Sequence, residues 1–197
     1  MTSRSIPSLL AVVALGGVAR ADDSLATAGR FQIGARIGYE LVVGDDSDPY
    51  DSGINPFGLG FGLGVGYTLA SGLHLGATFD AYLGESDTEV DEESETQASY
   101  DVSAWNLLAR AGWDIGLTPA LVLRPALGLG ITHIAAEVTI AGMSDSESAD
   151  HFSLRPEVGA LYPFGPAFVS LEIGFLIDTK VTKNSGASFV LGVGGAF

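Results

Sequence analysis

The stretch that decides the fold is FGLGFGLGVGYTL, residues 57–69. Large apolar residues occupy every second position, and five glycines and Thr68 occupy the positions between them. A period of two residues is typical of a β-strand, because successive side chains of a strand point to opposite faces. A helix is excluded here, since each interior glycine would weaken it by about 1 kcal/mol.

Seven further stretches alternate in the same way, so the sequence predicts eight strands. These stretches are 31–43, 73–83, 105–116, 121–132, 152–162, 168–179 and 188–197. The predicted connections are short turns at 70–72, 118–120 and 163–166, and longer polar segments at 44–56, 84–100, 133–151 and 180–187. Short turns at one end and long loops at the other are typical of outer-membrane barrels.

The direction of the alternation distinguishes a membrane barrel from a soluble one. In a soluble barrel the apolar faces would turn inward, and they carry more large side chains than eight strands can enclose. With the apolar faces outward, the glycines and the few charged groups fill the narrow interior instead. We therefore expect the large apolar side chains to contact lipid.

Aromatic residues of the outward faces are predicted to collect at both ends of the strands. Those near the short turns are Phe31, Tyr67, Trp113, Tyr162 and Phe197, and those near the long loops are Tyr39, Phe57, Trp105, Phe152 and Phe189. At ~3.3 Å per residue and a tilt of ~40°, the two tryptophans lie roughly 20 Å apart along the membrane normal. Two such girdles around an apolar band about 25 Å tall are expected of an outer-membrane barrel.

The chain ends SFVLGVGGAF, residues 188–197, on an aromatic residue in mid-strand. We expect this strand to pair with the first one, so that no edge is left unbonded in lipid. The whole pattern resembles the small outer-membrane barrels of the OmpA/OmpX type, without a peptidoglycan-binding domain. The resemblance implies an all-β, eight-stranded antiparallel up-and-down transmembrane barrel in lipid and lipopolysaccharide, with long acidic extracellular loops. It also implies periplasmic turns and termini, and recognition of Phe197 by the barrel-assembly machinery.

Residues 1–21 are predicted to be a secretory signal peptide for the Sec pathway. Arg4 precedes an apolar run at 9–19, and Ala19-Arg20-Ala21 forms a small-x-small cleavage site. The mature domain would then be 22–197, in the outer membrane of a diderm bacterium. The chain has no cysteine, and its net charge of −15 excludes nucleic-acid binding. We expect a monomer.

Charged residues of the predicted strands all fall on the inward faces. Because ionised groups in a narrow lumen are costly unless paired, we expect an interior salt-bridge network. Its predicted members are Arg36, Glu40, Asp80, Arg110, Asp114, Arg124, Arg155, Glu157, Glu172 and Asp178. Asp114 is expected opposite Arg124, and Arg155 diagonally from Glu172. The network would plug the barrel, or alternatively line a small polar-solute pore.

The segments predicted as long loops are strongly acidic. Residues 44–55, 85–98 and 137–150 hold 15 of the 24 acidic residues and no lysine or arginine. Solvated, disordered loops would have this composition. The alternative is a Ca²⁺ site, with Asp45, Asp46, Asp48 and Asp51 as weak candidate ligands. No other cofactor is predicted.

One short motif raises an enzymatic alternative. His151-Phe152-Ser153, followed by Glu157, is similar to the His-x-Ser pair with a downstream Glu in barrels that deacylate lipid A. However, Phe152 is the residue expected to face lipid, and Leu154 replaces the family's Asn. His74 and His133 have no ligand-like partners. We therefore predict a non-enzymatic barrel with a structural or surface-interaction role.

Overall fold

The computed structural model describes residues 27–43, 55–91, 96–178 and 185–197. These residues form nine β-strands: β1 (Arg30–Val42), β2 (Gly58–Thr68), β3 (Leu73–Asp91), β4 (Thr96–Trp113), β5 (Ile115–Thr118), β6 (Leu121–Ile140), β7 (Met143–Phe164), β8 (Ala167–Asp178) and β9 (Gly186–Ala196). No helix among them is long and apolar enough to cross a membrane.

The strands form one closed antiparallel barrel. Each strand pairs with the next along the chain, except that β5 continues β4 against β6 after an interruption at Asp114. The circle closes between β1 and β9, where the Phe31 N–H donates to the Phe197 carbonyl over 2.9 Å and the Phe197 N–H to the Phe31 carbonyl over 2.8 Å. The predicted eight-stranded barrel and its closing strand are confirmed.

The outer surface of the barrel is an apolar belt. Leu63 and Leu191 are each 59% exposed, and comparable side chains surround them on every side. A continuous apolar surface of this kind is not found on soluble monomers, and it fits contact with lipid. Outward aromatic residues lie toward the short-turn end of this belt, namely Phe31, Tyr67, Trp113, Tyr162 and Phe197.

Trp105 lies at the opposite end of the belt, half-buried beneath a histidine. The His133 ring stacks on it with 5.2 Å between the ring centroids, and Phe79 lies 6.1 Å away on the other side. His133 Nδ1 lies 2.7 Å from Asp150 Oδ1 on the neighbouring strand. His133 is therefore an outward residue at this rim of the barrel.

The prediction that Phe57 faces outward is wrong. Its side chain is fully buried inside the barrel, edge-on to the Tyr82 ring at 5.3 Å. Gly58, the first residue of β2, has a φ of +65°, a left-handed conformation that breaks the pleat at the start of the strand. The alternation of β2 therefore cannot be extended backward to Phe57.

Four adjacent strands extend much further than predicted. The β3–β4 hairpin continues to Asp91 and Thr96, and the β6–β7 hairpin to Ile140 and Met143. Ala141 and Gly142 form the second turn, and both have positive φ, 50° and 80°, as in the tight turns that suit twisted hairpins. The segments 84–100 and 133–151 therefore belong largely to strands, although their sequence carries too many polar residues to alternate clearly.

The glycines of β2 make room for side chains of β3. A Cβ on Gly60 would lie 2.7 Å from the Tyr82 ring, and one on Gly62 would lie 2.5 Å from the Phe79 carbonyl and closer still to the Asp80 carboxylate. The inward side chains of β3 thus lie across β2. This arrangement explains why the inward positions of β2 are almost all glycine.

Replacement of Gly62 by Ala should destabilise the barrel by about 1–3 kcal/mol, the usual cost of overpacking. The new methyl group would collide with both the β3 backbone and Asp80. Gly64→Ala is the matched control, because its Cβ would meet its nearest atoms, on Arg36 and Thr78, at 3.6 Å. Urea unfolding in detergent micelles, followed by tryptophan fluorescence, measures both variants. Equal loss of stability in the two would contradict this account of the glycine row.

Candidate functional site

The interior of the barrel is the candidate site, because the structure brings all the predicted charged side chains together there. Most are less than 10% exposed, and the Arg110 and Glu172 side chains are 8% and 12% exposed. They lie on six of the eight strand positions of the barrel wall. The members are Arg36 and Glu40 on β1, Asp80 on β3, Arg110 on β4, Asp114 after β4, Arg124 on β6, Arg155 and Glu157 on β7, and Glu172 and Asp178 on β8.

Acidic and basic groups alternate along one half of this network. Arg110 is paired with Glu157, and its Nη2 also donates to Glu172 Oε2 over 2.9 Å. The same Glu172 oxygen lies 3.3 Å from Arg36 Nη2. Arg110 and Glu172 therefore each lie between two groups of the opposite charge.

The other half continues from Arg36 to the far wall. Arg36 Nε lies 3.3 Å from Asp80 Oδ1, and the second oxygen of Asp80 accepts from Arg155 over 3.0 Å. Arg155 also donates to Glu40 over 3.0 Å and is 1% exposed. Seven charged groups thus form one continuous ion-pair chain across the lumen, in the order Glu157, Arg110, Glu172, Arg36, Asp80, Arg155 and Glu40.

The expectation that Arg155 lies diagonally from Glu172 is wrong. Glu172 is paired with Gly159 in the β7–β8 register, four residues along the strand from Arg155. Arg155 instead crosses the lumen to Asp80 and Glu40. Its long side chain can bridge opposite walls because glycines line the wall that it approaches.

Neutral polar groups hold the end of the chain at Glu40. Tyr82 donates its hydroxyl proton to Glu40 Oε2 over 2.8 Å and accepts from Arg155 over 2.9 Å and from the Asn106 amide over 3.2 Å. Asn106 in turn accepts from the Thr132 hydroxyl over 2.7 Å. Every hydrogen-bonding position of the Tyr82 hydroxyl is therefore occupied.

A second cluster lies at the short-turn end, around Arg124 and Asp114. The guanidinium of Arg124 binds Asp114 through two parallel hydrogen bonds of 2.5 and 2.9 Å. Asp114 also accepts from the hydroxyls of Thr27, over 2.7 Å, and Thr68, over 3.2 Å. Arg124 and Asp114 stand opposite each other across adjacent strands, and this carboxylate is fully surrounded by donors.

The hydrogen bonds of this cluster also determine the state of His74. The single Thr68 proton goes to Asp114, so the contact of 3.0 Å between Thr68 Oγ1 and His74 Nδ1 requires the imidazole to donate. His74 Nε2 lies 3.4 Å from Arg124 Nη1, a donor, and must accept. We therefore assign His74 as a neutral ring protonated at Nδ1.

Apolar layers cover the network at both ends. Toward the long hairpins the layer consists of Phe57, Tyr82, Ala104, Ile134 and Leu176, with Val42 and Val102 packed against it. Toward the short turns it consists of Val122, Leu161, Phe168 and Ala196. Both layers are made of buried side chains, and they separate the ion pairs from the two mouths of the barrel.

A cavity of about 40 Å³ lies beside the middle of the network. Arg36, Arg110 and Arg124 line it, together with Phe168 and Ser170. Arg36 Nη1 is buried and has no hydrogen-bond partner among the described residues. The volume suffices for ordered water to reach such groups.

The remaining candidates lie apart from this network or outside the described residues. Asp178, a predicted member of the network, faces the lumen and bonds through Oδ2 to His151 Nδ1, but it is not one of the seven residues of the ion-pair chain. The Ser153 hydroxyl, fully buried, lies 2.8 Å from that of Thr132. Asp45, Asp46, Asp48 and Asp51 lie outside the described residues. The part of the chain that the structure describes has no group of three or more histidine, aspartate or glutamate side chains placed to hold a metal ion.

Several members of the network are absent from the set predicted from charge alone. Tyr82, Asn106 and Thr132 occupy inward positions of their strands and carry polar side chains, which is the signal that could identify them. Thr27 precedes β1 and belongs to no alternating stretch, so the sequence pattern could not predict its contact with Asp114.

Replacement of Arg155 by Met should lower the free energy of unfolding by about 3–5 kcal/mol, because Glu40 loses its only described ion-pair partner in a buried site. Adding Glu40→Gln should recover part of the loss, since the buried charge is then removed. Ser170→Ala is the control in the same lumen, where a contact of 3.4 Å to Glu172 is removed, and it should cost about 1 kcal/mol or less. Urea titration in lipid vesicles measures all three variants, and an Arg155→Met cost no larger than that of Ser170→Ala would contradict the network.

Solved structures of three bacterial barrels resemble this one. Ail, the attachment invasion locus protein of Yersinia pestis, has 20% identity and a TM-score of 0.57, with 86% of this chain and 99% of Ail covered. Neisserial surface protein A has 14% identity and a TM-score of 0.56, covering 85% and 97%. The N-terminal barrel domain of Pseudomonas aeruginosa OprF has 16% identity and a TM-score of 0.50, covering 86% and 98%. At these identities the likeness shows the fold alone.

The sequence comparison gives the family. No curated protein matches the chain. The family model for the outer membrane protein beta-barrel domain matches residues 8–197, which is nearly the whole sequence. The apolar outer surface and the closed circle of strands agree with this match. The chain belongs to the outer membrane protein beta-barrel domain family and is a protein of the bacterial outer membrane.

Proposed function

We propose that this protein is an outer-membrane barrel that conducts no ions and acts at the cell surface. One observation carries the proposal: a continuous ion-pair chain crosses the lumen between two apolar layers. An ion entering either mouth would have to displace buried apolar side chains and then break paired charges. Both steps are costly, so the network acts as a plug.

The orientation follows the usual arrangement of such barrels. Short turns and both mature termini lie in the periplasm, and the long hairpins reach outside the cell. Outer-leaflet lipid and lipopolysaccharide surround the belt, the aromatic residues at its two ends form interfacial girdles, and the strand that ends at Phe197 is recognised by the barrel-assembly machinery. The long hairpins then present a four-stranded sheet to the surroundings, which supports an interaction role.

A catalytic role at the lipid surface has no support in the geometry. Ser153 is completely buried, Glu157 is paired with Arg110, and Phe152, half exposed, occupies the outer face between His151 and Ser153. A lipid acyl chain would have no path to the Ser153 hydroxyl. We therefore propose that the protein is not an enzyme, with a narrow polar pore as the alternative function.

Planar-bilayer recording separates the plug from the pore. The purified protein should insert without producing steady single-channel currents, because the apolar layers and ion pairs leave no continuous aqueous path. The shift in gel mobility of the folded barrel is the independent check on the inserted protein. A bilayer without protein gives the baseline current. Long-lived discrete openings in inserted protein would establish the pore instead.

Export should remove residues 1–21. N-terminal sequencing of the protein isolated from outer membranes should begin at Asp22, because Ala19 and Ala21 provide the small side chains that signal peptidase requires. Ala21→Arg should prevent this cleavage and retain the leader, whereas Ala21→Ser should not. A mature protein that still begins at Met1 would contradict the proposed signal peptide.

A further inference from the structure

The sheet that extends beyond the barrel has two chemically different faces. It is formed by β3, β4, β6 and β7 beyond Leu83, Trp105, Ile131 and Phe152, where these strands no longer pair with β2 or β8. Directly paired residues point to the same face. The side that continues the lipid-facing surface is the outer face, and the side that continues the lumen is the inner face.

One row of the inner face shows the pattern most clearly. Asp87, Tyr100, Val138 and Asp145 stand side by side across the four strands. The two apolar side chains occupy the central strands, and the two exposed aspartates occupy the flanking strands. An acidic group therefore borders the apolar centre on each side.

The neighbouring rows extend this arrangement along the sheet. Val102 and Ala136 are paired on the central strands, and Glu147 flanks them on β7. Ile140 and Met143 lie at the tip and are 45% and 75% exposed. Ile134 belongs to the buried layer below, so the strip open to a partner runs from Ala136 to Ile140, about 13 Å at ~3.3 Å per residue.

The outer face has the opposite order. Its corresponding row is Ser86, Asp101, Glu137 and Ser146, with the acidic groups at the centre and hydroxyls on the flanks. A sheet immersed in water on both sides has no need of an apolar strip on one of them. The inner face is therefore the one suited to a partner.

The charge around the strip determines what kind of partner fits. The sequence of residues 85–101 and 134–150 contains no lysine or arginine, and the acidic residues that the structure places along the inner face include Asp87, Asp145 and Glu147. A polyanion such as the heparin analogue found with Ail would be repelled. A segment with apolar groups in the middle and cations along both sides would be complementary.

Resting on the surface role proposed above, we propose that the inner face of the extended sheet binds cationic amphipathic helices. The flanking strands β3 and β7 are separated by three strand spacings, about 14 Å. A helix of about 10–12 Å diameter fits between their acidic side chains. Its apolar stripe would contact Tyr100, Val102 and Val138, while lysines or arginines on its two edges would reach Asp87, Asp145 and Glu147.

Binding of synthetic peptides to the full protein tests this proposal. The probe is a helical Leu/Lys peptide of roughly 14 residues, about 21 Å long, and its Leu/Glu counterpart is the charge control. The protein is held in nanodiscs of zwitterionic phosphatidylcholine, and empty discs give the lipid baseline. Fluorescence anisotropy should show the Leu/Lys peptide binding at least about tenfold more tightly than the Leu/Glu peptide, and this preference should fall at high salt.

Matched variants locate the binding on one face. Glu147→Gln on the inner face should weaken binding several-fold, whereas Glu137→Gln, which removes the same charge from the outer face, should not. Val138→Ser should weaken binding about tenfold, and Thr139→Ala on the outer face should leave it unchanged. Equal effects of Glu147→Gln and Glu137→Gln would mean unspecific charge attraction and would overturn the proposal.

One further outcome would overturn it, namely binding to the protein no stronger than binding to empty discs. That result would leave the plug untouched, since bilayer conductance tests that function separately.

Discussion

The structure depends on one constraint: no backbone hydrogen-bonding group can remain unpaired in lipid. The hydrogen bonds between Phe31 and Phe197 satisfy this constraint at the only position where the two ends of the described sheet could separate. Because the circle closes there, the last residue of the chain is part of the barrel wall. The tight closure of eight strands then leaves a narrow interior, and the filling of that interior follows from it.

The strands on opposite sides of the barrel contribute side chains of very different size to the interior. On β2 the inward positions are mainly glycine, and the side chains of Tyr82 and Asp80 lie over Gly60 and Gly62. On the opposite side, β4, β6 and β7 supply Arg110, Arg124 and Arg155. Long side chains from one wall reach the other because that wall carries no bulk. The arrangement gives each buried charge an opposite charge at short range, without which its burial would cost several kcal/mol.

Different neutral groups hold the ion-pair chain and the separate Arg124–Asp114 pair. At Glu40 the Tyr82 hydroxyl and the Arg155 guanidinium bind the same carboxylate oxygen. The Arg124–Asp114 pair forms a separate unit, completed by Thr27 from outside the strands. Buried networks are stabilising only when their members are satisfied. Tyr82 and Thr27 therefore supply hydrogen bonds to Glu40 and Asp114 in addition to those from the arginines.

The sequence predicts the strands within the lipid belt and the direction of every charged side chain in them. It does so because lipid outside and a narrow lumen inside impose opposite demands on alternate residues, as FGLGFGLGVGYTL shows. The pairing of Arg124 with Asp114 is confirmed, because a short turn places these residues directly opposite each other. The partners of the other arginines could not be predicted. Arg155 has reach enough for several partners, and the choice of Asp80 and Glu40 depends on strand stagger around the whole circle. The alternation predicts the wrong face for Phe57, because the left-handed Gly58 reverses the pleat.

The limits of prediction at the long hairpins have a related cause. Within the membrane the outer face is apolar and the inner face polar, so Trp105 points outward and Asn106 inward. Beyond the rim the order reverses along β4, although its register with β6 is unbroken: Asp101 lies outside, while Tyr100 and Val102 lie inside. A prediction based on apolar residues of the outer face therefore begins this strand at Trp105, although β4 begins at Thr96. The reversal marks the depth at which lipid ends, because each face changes its chemistry when its surroundings change from lipid to water.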